Sequence, residues 1–280
     1  MRFESPRHIK SYIMESLGLT EFLKTVGRAV HSMNTICVGL HGVGTGKYEK
    51  PDDLTISWNT KDPCASSRTA RQFAVESALV FIEEALLQYL KYVLNHPAAP
   101  SSMKAAMQEE KAADKVDKLS KQIQLKEVYW APIVILLIHW RNRIVHHSSK
   151  AKLSDNQEKI LIDNQDKIRS NHANIDISET LAHFSERKIT LKDASTIIAI
   201  TIRFVRDIDE FLQLYIVTPN NIRYFIEYLD IVDEYKEQLK ANGIEVKSRK
   251  IKQLFKTYLP FVSEDFVVQV IEKPIEFNDK

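Results

Sequence analysis

Glycine is scarce in this 280-residue chain: there are seven, and Gly39, Gly42, Gly44 and Gly46 fall in one stretch. The short strands and tight turns of an all-β fold therefore lack their usual punctuation. Cysteine is scarcer still. Cys37 and Cys64 are the only two, too few for a disulfide framework, and neither has the Cys/His spacing of a zinc site. The nine histidines contain no His-Glu-x-x-His pair, so no metal and no cofactor is expected. Long apolar runs are also missing. The longest uncharged one, residues 128–140, spans 13 positions and contains Pro132, well short of the roughly 20 that a membrane-spanning helix needs. The N-terminus turns polar at once, in Met1-Arg2-Phe3-Glu4-Ser5-Pro6, so no secretory leader is expected. A cytoplasmic protein that does not engage membranes is the expectation. A net charge of +2 is too small to argue for nucleic-acid binding from bulk electrostatics, so any such site must be a local basic cluster.

What the chain does have is helical spacing. With 44% hydrophobic and 27% charged residues it has the composition of a folded core rather than of a disordered chain. Helices are expected over residues 6–17 and 20–38, the second ended by the glycine-rich stretch. An irregular connector then runs to residue 66, with Pro51, Pro63 and a short extended run from Leu54 to Trp58. Residues 67–95 place Phe73, Val80, Phe81, Leu86, Tyr89, Leu90 and Val93 along a broad apolar face. Residues 102–126 are rich in Ala, Lys, Glu, Gln and Asp, which predicts a solvated helix projecting from the core as an insertion. Residues 127–149 are apolar nearly all round, the mark of a central helix.

Shorter helices are expected at 156–170 and 178–185. A long one follows at 190–217, with Ile197, Ile200, Phe204, Val205 and Ile208 in register. After Pro219 a helix resumes through Leu239, Gly243 stops it, and a small helical tail closes the chain. The predicted fold is all-α: a four-helix bundle core over residues 67–217, a helical extension with loop and connector over 1–66, and a small helical extension over 218–280.

The chemistry-bearing residues lie near the end of the central helix, in Arg141-Asn142-Arg143-Ile144-Val145-His146-His147. On a helix continued through residue 146, Ile135, His139, Asn142 and His146 are spaced i, i+4, i+7, i+11 and share one face. An arginine, an amide and a histidine suit cleavage of an RNA phosphodiester. The 2′-hydroxyl must lose a proton, the 5′-oxygen must gain one, and negative charge builds on the phosphoryl oxygens. Histidine exchanges protons near neutrality, and arginine clamps phosphate with paired hydrogen bonds. No metal is required for that.

Arg141-Asn142-x-x-x-His146 resembles the Arg-x(4 to 6)-His signature of the HEPN superfamily, in which Asn often follows the Arg. The resemblance covers about residues 67–217. It implies a helical bundle and a metal-independent ribonuclease of the toxin or antiphage kind, with two copies of the motif meeting across a homodimer and a cognate antitoxin or defence-system partner. By this resemblance Arg141 stabilises the phosphate, Asn142 orders the site and His146 is the acid or base, with His147 as stand-in should the helix end early. Arg2-x5-His8 fits the bare pattern too, but it lies at a terminus with no apolar helix before it.

Other residues are weaker candidates. His139 and Glu76 are read as supporting neighbours of the site, with Glu83 and Glu84 also able to face the motif from the preceding helix. Arg143 and Lys150 beside the motif, and Lys247, Arg249 and Lys250 near Phe255 and Tyr258, suit RNA phosphates; a solvated basic face explains the second group equally well. Four basic residues at a helix C-terminus also interact favourably with the helix dipole without any catalytic role. That leaves a helical module binding RNA, nucleotide or protein as the alternative to an enzyme. Gly42-Val43-Gly44-Thr45-Gly46-Lys47 imitates a phosphate-binding loop but has His41 where the first glycine belongs and Tyr48 where Ser or Thr belongs.

Overall fold

A computed structural model of the chain describes residues 16–58, 60–96, 99–212, 222–259, 262 and 264–277. The expected helix at 6–17, apart from its last two residues, and the Arg2/His8 pair lie outside them, as does the 213–217 end of the helix expected over 190–217. Among the described residues every regular element is a helix and none is a strand.

Four long helices form the centre: α1 (Leu17–Gly44), α2 (Pro63–Asn95), α5 (Trp130–Val145) and α9 (Leu191–Phe211). Between them run α3 (Ser101–Met107), α4 (Ala112–Ser120), α6 (Asp155–Asp163), α7 (Gln165–Asn171) and α8 (Ile177–Glu186). The chain closes with α10 (Ile222–Tyr228), α11 (Val232–Leu239), α12 (Ile244–Tyr258) and α13 (Glu264–Glu272).

Capping side chains set the starts of the long helices. Ser16 accepts the Leu19 N–H at 3.1 Å, and Asp62 accepts the Ala65 N–H at 3.0 Å ahead of Pro63. Proline is tolerated at that first position because its missing N–H would have had no helical partner. The helix expected from residue 67 accordingly begins four residues earlier. Thr190 and Asp193 form a reciprocal capping box at α9.

Buried Asp209 fixes the relative directions of the helices. It accepts from Ser16 N–H at 3.1 Å and from the Tyr89 hydroxyl at 3.3 Å, so the start of α1 meets the ends of α2 and α9. Just before α5, Lys126 N–H donates to Asp207 at 2.8 Å, so α5 runs against α9. The four helices thus alternate up and down, with α1 packed most extensively on α2. Apolar residues from Leu19 to Val270 belong to one contiguous core. Helix α1, assigned by its sequence to an extension, contributes Phe22, Val26 and Met33 to that core.

Two expectations are corrected. Residues 102–126 do not project into solvent. They fold into α3 and α4, which bury Met103, Met107, Val116 and Leu119 at 0–2% exposure, and α4 packs on α5. Their lysines and acids face outward and pair with one another, as Lys121 does with Asp117 at 2.6 Å. The glycine-rich stretch does not end α1 at residue 38 either, since the helix continues to Gly44. A Cβ at Gly42 would stand 2.0 Å from the Tyr48 ring, and one at Gly44 3.0 Å from the Ser67 hydroxyl. These glycines serve close packing inside a helix, not a loop.

At the other end of the molecule, α10 meets α2 through the His96 and Phe225 rings, 4.6 Å apart. Tyr235 of α11 is fully buried, stacks on Phe255 of α12 at 6.1 Å and meets Phe277 edge-on. No helix among the described residues is long and apolar enough to cross a membrane.

Candidate active site

Helix α5 buries every residue from Trp130 to Ile138, so its position in the bundle is fixed before its polar end begins. Trp140 continues the buried face and packs edge-on against Phe184 of α8 at 5.1 Å. The remaining positions near the end, His139, Arg141, Asn142 and Arg143, are half-buried.

The helix stops at Val145, four residues before the expected end. His146 takes an extended backbone (φ −121°, ψ 98°), although its N–H still donates to the Asn142 carbonyl at 2.9 Å. It therefore opens a turn and does not continue a helical face with Asn142. Two arginines hold that turn from outside. Arg143 donates from Nε to Ala151 O at 2.9 Å and from Nη1 to Phe184 O at 2.7 Å, with its guanidinium 3.6 Å from the Phe184 ring centre. Arg187, the C-cap of α8, donates to His147 O at 2.9 Å and Ser149 O at 3.2 Å. Arg187 itself sits in left-handed backbone (φ 58°), a conformation that costs a non-glycine residue energy. Arg143 and Arg187 thus hold the segment after α5 through the carbonyls of His147, Ser149 and Ala151.

Arg141 and Asn142 adjoin the turn. Arg141 Nη1 donates to Asn142 Oδ1 at 3.3 Å, and its Nε lies 3.4 Å from Oε2 of Glu83 on α2. Neither Nε nor that oxygen has a hydrogen-bond partner of good geometry, so the contact is ionic. Glu83 is only 2% exposed. Burial pushes its carboxyl above the ordinary glutamate range, and the Arg141 guanidinium pulls it back down. The Arg141 side chain remains about a quarter exposed, at 27%.

The sequence candidates separate into distinct groups. His146, His147 and Lys150 are exposed on or just after the turn. His139 is held below the usual histidine value by burial, then by Arg143, with Asp114 opposing, and its Nδ1 is enclosed without a hydrogen-bond partner. Arg143 faces the Ala151 and Phe184 carbonyls, and burial together with Arg187 lowers its pKa. Glu76 accepts from Gln72 of its own helix at 2.7 Å. The acid that meets Arg141 is Glu83, two turns further along α2. A signal for it was present: Glu83 is bracketed by the buried Leu79, Ile82 and Leu86, where a carboxylate requires a partner.

The basic residues of α12 divide as well. Arg249, with Lys252 and Lys256, lines a groove of about 580 Å3 against Val268 and Ile271 of α13, and neither Lys247 nor Lys250 is part of that lining. The segment from Gly42 to Lys47 lies at the C-terminal end of α1, where Thr45 and Gly46 donate to helix carbonyls. Phosphate loops use the opposite, N-terminal end of a helix with its free N–H groups. Among the described residues no three His, Cys, Asp or Glu side chains are grouped as metal ligands.

No protein-family model, curated protein or solved structure matches the chain. What the chain presents is a cation and an amide near the end of a buried helix, followed by two exposed imidazoles.

Proposed function

We propose that this chain is a HEPN-like, metal-independent endoribonuclease with Arg141, Asn142 and His146 at its active centre and His147 in reserve. The observation that carries the reading is the abrupt end of α5. An arginine held by a buried carboxylate and an amide is followed five and six residues later by two solvent-facing imidazoles. In this reading a histidine removes the 2′-hydroxyl proton and that oxygen attacks phosphorus. The bond to the 5′-oxygen breaks, and a second histidine, supplied by a partner copy in a homodimer, protonates the leaving oxygen. Arg141 stabilises the charge on the non-bridging oxygens. A toxin or antiphage effector, restrained by a cognate antitoxin, is the biological setting that goes with it.

Binding without cleavage is the second reading. It is favoured by the absence, among the described residues, of any hydrogen bond orienting the His146 or His147 ring. The test is cleavage of single-stranded RNA by purified protein in excess EDTA. The enzyme reading expects cutting that Arg141→Lys slows at least tenfold and that the double variant His146→Ala/His147→Ala abolishes. Equal cutting by these variants refutes it, and RNA binding with no cutting establishes the second reading.

A further inference from the structure

We infer that Glu83 is the positioning residue for Arg141, fixing which edge of the guanidinium is presented to the RNA phosphate; this rests on the cleavage reading above. The other buried acids of the bundle are consumed by the fold. Asp193 accepts from the Thr180 and Thr190 hydroxyls and pairs with His183 at 2.8 Å, Asp209 ties three helices together, and Asp207 holds Lys126.

Glu83 differs from all of them. It caps no helix end and accepts no well-formed hydrogen bond at Oε2, and Arg141 is its ionic partner of opposite sign. A carboxylate placed among Leu79, Ile82 and Leu86 is costly, and nothing about the packing of α2 calls for one. What the carboxylate does accomplish is geometric. It stands 3.4 Å from Nε of Arg141 while Asn142 accepts from Nη1, so the protein engages two of the three guanidinium nitrogens, and Nη2 has no hydrogen-bond partner among the described residues. A planar guanidinium held at two nitrogens is pre-oriented to engage phosphate through the N–H groups left over.

The test is Glu83→Gln, which keeps the side-chain shape and removes the charge, assayed by steady-state cleavage of a fluorescent RNA across pH 6–8, with thermal unfolding to verify folding. The expected result is a kcat at least tenfold below wild type, with KM within twofold. The double variant Glu83→Gln/Arg141→Lys should be no slower than Arg141→Lys alone, because both changes disrupt the same element. A parallel 15N NMR measurement should show the Arg141 Nε–Hε signal of the wild type shifted or broadened by Glu83→Gln. If cleavage depends on Arg141 but Glu83→Gln cuts within twofold of wild type, or the two variants' effects multiply, the inference fails while the ribonuclease reading survives. If no cleavage depends on Arg141, both fail.

Discussion

Replacing Arg143 by methionine separates an arginine that builds the site from one that touches RNA. Methionine retains most of the apolar stem and removes the two hydrogen bonds to Ala151 and Phe184 carbonyls and the stacking on Phe184. Hydrogen bonds from a charged donor contribute about 1.5–3 kcal/mol each when buried, and a cation over an aromatic face about 0.5–2 kcal/mol. Arg143 is half-buried, so solvent screening reduces these values, and a total of about 2–3 kcal/mol is expected. For a chain of this size that corresponds to a fall in melting temperature of roughly 4–10 °C, measurable by scanning calorimetry. Arg143→Lys should recover less than half of it, since an ammonium cannot reach both carbonyls and also lie flat on the ring. Below its melting point the methionine variant should bind single-stranded RNA with near wild-type affinity. A variant that melts within 1 °C of wild type yet binds RNA tenfold more weakly would overturn this assignment and make Arg143 an RNA contact.

Two further outcomes follow from packing and burial. Leu119→Ala should lower the unfolding free energy by about 3 kcal/mol in urea titrations, the usual cost of emptying a fully buried leucine site; a loss below about 0.5 kcal/mol would mean that α4 is a solvated arm. His96, 6% exposed, has its pKa lowered to about 4 by burial and then by Lys104. A base whose folded-state value is depressed binds more protons when unfolded, so protons favour unfolding as pH falls from about 6.5 towards 4. Wild type should therefore lose about 2 kcal/mol to this group between pH 7 and pH 5, and His96→Phe should flatten that part of the profile; an unchanged profile would refute it.

Periodicity made α8 and α9 legible, because Ile197, Phe204 and Ile208 bury a face that repeats at the helical period and Thr190 marks its start. Helices α3 and α4 were not. Their alanines and methionines form a narrow apolar stripe that composition averages away, and only the presence of α5 alongside shows it to be covered. The glycines of α1 read as a loop because the residues they admit, Tyr48 and Ser67, lie on other segments. Likewise the segment after Val145 is held by Arg187, some 40 residues downstream, a contact that no local rule shows. Arg141 meets Glu83 and not Glu76, which shows the limit of choosing between acids two turns apart on one face.

The central claim concerns how RNA is cut, and the chemistry of the new ends tests it most directly. A 5′-labelled and a 3′-labelled RNA should be incubated with the protein in EDTA and the fragments resolved before and after phosphatase treatment. The account predicts 2′,3′-cyclic phosphate and 5′-hydroxyl ends, with no cleavage of an RNA whose reactive 2′-hydroxyl is replaced by 2′-O-methyl. Fragments bearing 3′-hydroxyl and 5′-phosphate ends, or cutting that persists in the 2′-O-methyl RNA, would contradict it.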